Sequence, residues 1–291
     1  MSILKNDNIK LAVQKQGRLT EETLDFLWKS GLEFESSKQK LFSNCRNFPL
    51  EILFLRDNDI PKYVEEGVVD LGIIGQNLLY EKRPRVKKLL NLRFGFCSLV
   101  IAVPRDLPIY KIEDLKNMKI ATSYPVSSKK YFKEKNIPIE LVEISGSAEI
   151  SPALGVSSAI VDLTSTGSTL LLNELREIGK IYDSEAVIIA NQKNYSDNKK
   201  KILDKLLLRF KGVLSAKNYK YVMLNIPENI LPKLKKVIPG LKTPIVFPLA
   251  KTGWITIGGV IKEDFFWETI ERFQNIGATG IVVLPIEKIV T

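Results

Sequence analysis

The 291-residue sequence has no histidine and only two cysteines, Cys45 and Cys97. Without imidazole there is no Ser-His-Asp triad and no His-ligated zinc or haem. Two thiols cannot build a four-thiolate zinc or iron–sulfur site, so a metal would be held mainly by oxygen, which points to Mg²⁺ or a similar hard cation. No stretch approaches the ~20 apolar residues of a membrane span. Residues 1–10 lack the apolar core of a signal peptide, so the expectation is a cytoplasmic protein with reduced thiols and no membrane partner. Acidic residues are also few: 33 Asp and Glu against 43 Lys and Arg leave a net charge of +10. Two readings fit that surplus, a polyanionic partner such as nucleic acid or phosphate-rich small molecules, and a lysine-rich solvated surface.

What is present is ordinary for a globular chain. Hydrophobic residues make up 45%, and the length suits about two domains of ~100–200 residues each. Strands and helices alternate early. Residues 9–14 read as a short apolar strand, and Thr20-Glu-Glu opens a helix with Leu24, Leu27 and Trp28 at helical spacing. Residues 51–55 read as a strand, and Asp59 before Ile60-Pro61 reads as an N-cap with Pro in the first turn of a helix that ends at Gly67. Residues 68–74 are again strand-like. Further strands are expected near 97–103, 119–122, 139–144 and 159–163, with helices over 129–135 and 170–178, the latter closed by Gly179. After a strand at 185–190 and a helix at 202–214 the rhythm changes. Residues 219–284 order as strand, helix, strand, strand, helix, strand, the split-βαβ or ferredoxin-like arrangement. The fold class expected is α/β, with parallel sheets covered by helices and this smaller domain at the C-terminus.

The strongest chemical signal is Asp162-Leu-Thr-Ser-Thr-Gly-Ser-Thr169. An apolar strand carries an acid near its tip, and six residues with only hydroxyls or no side chain then lead into a helix. Backbone N–H groups of such a loop converge beside the positive end of a helix dipole, where a phosphate dianion is stabilised. Gly167 permits close approach, and Thr164, Ser165, Thr166, Ser168 and Thr169 add hydroxyl donors. Asp162 is placed to accept hydrogen bonds from ribose hydroxyls. A Ser/Thr-rich helix cap is the plainer alternative; a cap seldom needs six such residues, and phosphate binding is the favoured reading. No Lys follows the glycine, so the loop is not a Walker A motif. Other clusters sit at strand ends: Gln14-Lys-Gln-Gly-Arg-Leu19, Arg56-Asp-Asn-Asp59 and Val69-Asp-Leu-Gly-Ile-Ile-Gly75. Asp59 reads equally as a helix cap, Gly72 as a packing glycine, and Glu149 as an exposed helix-start glutamate.

Taken in order, Val13-Gln-Lys-Gln-Gly-Arg-Leu19, Leu55-Arg-Asp-Asn-Asp-Ile-Pro61, Gly67-Val-Val-Asp-Leu-Gly-Ile-Ile-Gly75, Lys119-Ile-Ala-Thr-Ser-Tyr-Pro125, Asp162-Leu-Thr-Ser-Thr-Gly-Ser-Thr-Leu170 and Val283-Leu-Pro-Ile-Glu-Lys288 resemble the long form of the ATP phosphoribosyltransferase family, which opens histidine biosynthesis. The resemblance implies two catalytic lobes like those of periplasmic binding proteins, residues 1–100 with 182–215 and residues 101–181. It implies a regulatory ferredoxin-like domain over 216–291. The substrates implied are ATP and phosphoribosyl pyrophosphate (PRPP), with Mg²⁺ as cofactor and histidine as feedback inhibitor. By the same resemblance the PRPP site would be Asp162 and residues 164–169. The ATP site would use Gln14, Lys15, Gly17, Arg18, Arg56, Asp70 and Gly72. Catalysis would rest on Asp162, Glu149, Lys15 and Arg18, and histidine would be bound near Asn225, Leu241, Thr243, Ile245 and Gly280. Dimers that associate into hexamers are implied too. A solute-binding domain of similar architecture would bind without turnover. A nucleic-acid binder would need aromatic platforms among its cations or a basic helical stripe, and neither is present.

Overall fold

In the computed structural model, residues 8–37, 39–193, 195–232 and 244–290 are described. The chain forms two compact units, Met1–Asp25 with Leu32–Leu203, and Phe26–Gly31 with Asp204–Thr291.

The first unit holds two sheets. One joins β1 (Ile9–Gln14), β2 (Phe42–Asn44), β3 (Leu50–Leu55), β4 (Leu71–Gly75), β5 (Lys87–Asn91) and β11 (Ala186–Ala190) in the order β2-β3-β1-β4-β11-β5. The other joins β6 (Cys97–Pro104), β7 (Lys119–Thr122), β8 (Glu140–Glu143), β9 (Ala159–Thr164) and β10 (Leu175–Ser184) in the order β10-β6-β9-β7-β8. The chain leaves the first sheet through residues 92–96 and returns at Glu185, so two lobes share two backbone crossings.

Within each lobe the parallel strands end at one edge. β1 pairs in parallel with β3 and β4, and β7 pairs in parallel with β8 and β9. Open α/β sheets place ligands at such carboxyl ends. Helix α1 (Thr20–Lys29) follows β1, and helices α2 (Ile60–Glu66), α3 (Gln76–Lys82) and α4 (Pro125–Glu134) cover the sheets. Ile60, Val64, Val69, Ile74, Leu78, Val187 and Ile189 form one buried cluster in the first lobe. Leu99, Ile101, Val103, Leu115, Ile120, Phe132 and Val161 form another in the second.

The helix expected over 170–178 is largely absent. Only one turn forms, α5 (Ser168–Leu172), and residues 175–184 are β10, paired antiparallel with β6. Glu174 adopts a left-handed φ of +54°, which ends the helix, and Gly179 lies at a register shift in the strand instead of capping a helix. A Cβ at Gly179 would meet Ile112 at 3.0 Å. Asp59 precedes α2, but its side chain makes no capping hydrogen bond; Pro61 and the left-handed Gly67 bound the helix as expected.

In the second unit, β12 (Tyr219–Pro227), β13 (Ile245–Pro248), β14 (Trp254–Lys262) and β15 (Thr279–Pro285) form an antiparallel sheet in the order β13-β14-β12-β15. This is the strand order of the ferredoxin-like arrangement. Helix α7 (Phe266–Asn275) buries Ile270 and Phe273 with Val222, Leu224, Ile226, Ile255 and Ile257. The helix expected after the first strand of this domain, over residues 228–237, lies outside the described residues from 233 onward; Glu228–Ile230 form a 3-10 turn. The later half of α6 (Asp197–Ala216) belongs to this unit. Its Leu206, Phe210, Val213 and Leu214 are buried, with Phe210 5.0 Å from Phe26 between ring centroids.

Candidate active site

The loop after β9 is built as its composition requires. Thr164 Oγ1 accepts a hydrogen bond from the Gly167 N–H at 2.9 Å, and Thr166 Oγ1 and Ser168 Oγ are 3.0 Å apart. Gly167 takes φ +76°, which favours glycine. A Cβ placed there would meet nothing within 4 Å. Ser165, Thr166, Ser168 and Thr169 are exposed, so the turn presents hydroxyls and an open backbone to solvent.

Asp162, two residues inside the strand tip, is half-buried, and its Oδ1 accepts the Leu163 N–H at 2.8 Å. Burial pushes its carboxyl up to about 6; the Leu163 hydrogen bond opposes the rise, and the negative charge of Glu149 adds to it. The tip of β7 is held by hydroxyls. Thr122 Oγ1 donates to the Val161 carbonyl (2.8 Å) and accepts the Tyr124 N–H (2.9 Å), and Ser128 Oγ donates to the Tyr124 carbonyl (2.7 Å). Burial raises the Tyr124 phenol well above its ordinary range, with the charges of Asp162 and Asp57 adding to the rise. Asp162 belongs to the same lobe as Tyr124, and Asp57 to the other.

On the first lobe, Lys15, Arg56, Asp57, Asn58 and Asp59 line a cavity of about 490 Å³ at the ends of β1 and β3. Asp57 and Asn58 also line a neighbouring cavity of about 480 Å³, closed on the other side by Tyr124, Glu143, Ser145 and Gly146 of the second lobe. A third, of about 660 Å³, shares Lys15 and adds Gly17, Arg18, Thr20 and Phe54. These three concavities adjoin through shared residues along the strand ends. Lys15 is half-buried and Arg56 exposed. Arg18 donates from Nη1 to the Gly95 carbonyl at 2.6 Å, tying the β1 loop to one crossing segment.

Two of the expected ATP-site residues lie elsewhere. Asp70 sits at the amino end of β4, about 16 Å of strand from the ligand edge. Its Oδ2 accepts the Lys10 N–H at 2.8 Å and its Oδ1 pairs with Lys199 Nζ at 2.8 Å, so it fastens strand starts. Gly72 is inside β4, where a Cβ would strike Ile60 at 2.6 Å and Val64 at 3.0 Å; it lets α2 pack on the sheet. Gln14 is at the right edge, but its side chain is used locally, with Oε1 accepting the Leu19 N–H at 3.0 Å. Composition alone does not distinguish the two ends of a five-residue strand, which is why Asp70 reads from sequence as a cleft residue. Asp57 and Asn58, from the cluster at 56–59, and Tyr124, from the motif at 119–125, line one cavity across the two lobes.

In the second unit, Thr256 Oγ1 donates to Asn225 Oδ1 at 2.7 Å, and a Cβ on Gly280 would lie 2.7 Å from Asn225 Nδ2. Asn225 follows a register shift in β12, and Ile245, opposite Gly258, shares its face of the sheet, the face away from Leu224 and Ile226. Leu241 and Thr243 lie outside the described residues.

Among the described residues, no group of three or more Asp, Glu or Cys is arranged to hold a metal ion, and no helix is long and apolar enough to cross a membrane. Asp57, Glu81 and Glu143 reach the cavity between the lobes, Glu81 with both oxygens already accepting from Val126 and Ser127, and Asp57 and Asp59 reach the cavity beside it. That donor set suits Mg²⁺ arriving on phosphate oxygens with most of its water, rather than a metal held by the protein alone.

A family model described as ATP phosphoribosyltransferase matches residues 56–212, and one described as HisG, C-terminal domain, matches residues 216–288. The chain is 45% identical over 282 residues to an ATP phosphoribosyltransferase of Cytophaga hutchinsonii, covering 97% of this chain and 98% of that protein. It is 43% identical over 282 residues to an ATP phosphoribosyltransferase of Bacteroides thetaiotaomicron, covering 97% and 99%. Among solved structures, the ATP phosphoribosyl transferase (HisG:HisZ) complex from Thermotoga maritima matches with a TM-score of 0.60 and 27% identity over 70% of this chain and 96% of that one.

Proposed function

The chain belongs to the ATP phosphoribosyltransferase family, and from that membership we propose that its first unit transfers the 5-phosphoribosyl group of PRPP to N1 of ATP, with pyrophosphate as the other product. The observation that carries this reading is the facing of two sets of strand ends. The hydroxyl loop and Asp162 lie at the end of β9 on the second lobe, Lys15 and Arg56 at the ends of β1 and β3 on the first, and Asp57 and Tyr124 line one cavity across the two.

The 5-phosphate lies in the loop of residues 164–169, where exposed backbone and hydroxyl donors surround Gly167. Asp162, as its carboxylate, accepts the ribose hydroxyls and fixes the sugar. Glu149, whose charge Asp162 feels, borders the same sugar. Lys15 and Arg56 hold the polyphosphate groups, and Arg18 holds the β1 loop in place through Gly95. Lined up in this way, the adenine N1 lone pair attacks the anomeric carbon while the bond to pyrophosphate breaks and its electron pair leaves with the phosphate oxygen. The configuration inverts, and the adenine ring carries the positive charge that balances the departing pyrophosphate. No side-chain nucleophile is required. Mg²⁺ bound to the diphosphate would neutralise part of the charge on the leaving group. The cations Lys15 and Arg56 do the same from the protein, with preorganisation as the principal contribution.

The second unit binds histidine on the sheet face carrying Asn225, Ile245 and Gly280, and that binding lowers activity in a cytoplasmic oligomer of dimers and hexamers. Exposed apolar side chains on this sheet, among them Ile245, Phe247, Val282 and Leu284, support self-association. The test is incubation with ATP, PRPP and Mg²⁺, following pyrophosphate release and the absorbance of phosphoribosyl-ATP with and without histidine. Product that falls when histidine is added is expected. Binding of PRPP without product would overturn the transfer reading in favour of a solute-binding role.

A further inference from the structure

Beyond its two backbone crossings, and the Asn77–Ser184 hydrogen bonds beside one of them, the first unit has a further tie between its lobes, and it rests on one carboxylate. Glu81, in the last turn of α3 on the first lobe, is only 7% exposed. Its Oε1 accepts the Val126 N–H at 2.8 Å, and its Oε2 accepts the Ser127 N–H at 2.9 Å and the Ser127 hydroxyl at 2.7 Å. Those donors are the first turn of α4 on the second lobe. Pro125 opens that helix, and no side chain of Tyr124 at the N-cap supplies an acceptor. A ten-residue helix leaves its first N–H groups without intrahelical partners, and a carboxylate there meets both the donors and the positive end of the dipole. Here the cap comes from the opposite lobe. Tyr182 extends the tie: its hydroxyl is 3.2 Å from Ser127 Oγ, and its ring packs at a tilt of 60° with its centroid 4.6 Å from that of Tyr80, the neighbour of Glu81.

The position of this tie gives it a task. Glu81 lines the cavity between the lobes together with Asp57, Asn58 and Tyr124. The helix it caps begins one residue after Tyr124, whose backbone is already fixed by Thr122 and Ser128. We propose that Glu81 is a positioning residue for phosphoribosyl transfer: it clamps α4 to the first lobe and thereby sets the separation between the Asp162 loop and the Lys15 and Arg56 edge. The assignment rests on the transfer reading above. Among the described residues, the hydrogen bonds of Glu81 go to Val126 and Ser127 and not to the loop at 164–169, so it acts through the lobe and not on the substrate. PRPP held by the second lobe alone would bind without it, whereas alignment of two substrates held by different lobes would not survive its loss. Misplacement of reacting groups by about 1 Å can cost on the order of 10²-fold in rate.

The test uses the full chain and the variants Glu81→Gln, which keeps size but puts an amide N–H against the α4 donors, and Ser127→Ala, which removes one donor. Amide exchange in the first turn of α4, the Kd for PRPP by calorimetry, and kcat and KM with Mg²⁺, ATP and PRPP are measured on each. Glu81→Gln is expected to exchange faster at 126–127, keep its PRPP Kd within about threefold, and lose roughly tenfold or more in kcat. Ser127→Ala is expected to lose about threefold in kcat and decides the matter if Glu81→Gln does not fold. Faster exchange with kcat unchanged, in either variant, would reduce Glu81 to a structural cap and overturn the assignment. A wild-type enzyme that makes no phosphoribosyl-ATP would instead remove the transfer reading, and this assignment with it.

Discussion

The loops after β1 and β9 both turn on a glycine of positive φ, +136° at Gly17 and +76° at Gly167. They are filled in opposite ways. A Cβ on Gly17 would lie 2.3 Å from Gln14 Nε2, because the Gln14 side chain folds back over the turn; a Cβ on Gly167 would meet nothing within 4 Å. The first loop is packed by its own residues and presents cations from a rigid frame. The second keeps its centre open, which is the condition for a phosphate to reach the backbone. Two glycine turns at equivalent strand ends therefore do different work, and the difference is testable.

The largest effect is expected at the open loop. Gly167→Val should weaken PRPP binding by at least about 100-fold, as loss of close donors in such sites costs on that order. Its Tm should move by only a few degrees, since backbone strain of ~1–2 kcal/mol is the main penalty. Calorimetry and thermal melting of the same sample would separate the two.

Asp162→Asn comes next. It should lower kcat/KM by roughly 10²-fold and abolish an acid limb centred near pH 6, because wild-type Asp162 is ionised only above about 6. The sign for stability is opposite. Folding raises this carboxyl from 3.8, so the native state favours the protonated form. The resulting penalty is absent below about pH 4, grows as pH rises to about 6, and is complete above it. The Asn variant should therefore be more stable than wild type at pH 7, by about 3 kcal/mol at most, and equal to it below pH 4. Melts at the two pH values would show the difference present at pH 7 and gone below pH 4 if burial is the cause.

At the packed loop the effects should be smaller and of another kind. Gly17→Ala should cost about 1–3 kcal/mol of stability by displacing Gln14, and raise the KM for ATP while leaving the PRPP Kd alone. Lys15→Met should raise the KM for ATP by about tenfold, the equivalent of one charge-assisted hydrogen bond. Asp70→Asn should change kcat and both KM values by less than twofold, because Asp70 holds Lys10 and Lys199 at the far end of β4. A large kinetic effect there would contradict its placement.

Much of this was readable from the chain, because strong local patterns set it. The ferredoxin-like order of the last 75 or so residues and the strand–hydroxyl loop at 159–169 follow from periodicity and turn chemistry that act within ten residues. β10 was not readable. Leu175, Ile178 and Ile181 are spaced as they would be on a helix face, and only the antiparallel partner β6 makes residues 175–184 a strand. Asp70 and Gly72 looked like cleft residues because a glycine-rich strand with an acid looks the same from either end. Glu81 gave no signal at all. In sequence it lies in Tyr80-Glu-Lys82, an ordinary charged helix end, and its burial depends on donors 45 and 46 residues away on another lobe.

A structure of the enzyme with PRPP and Mg²⁺ bound tests the central claim most directly. The account predicts the 5-phosphate at the open loop, its oxygens within ~2.7–3.2 Å of backbone and hydroxyl donors of residues 164–169, and the ribose hydroxyls on Asp162. A 5-phosphate found instead on Lys15 and Arg56, with the loop at Gly167 empty, would contradict it.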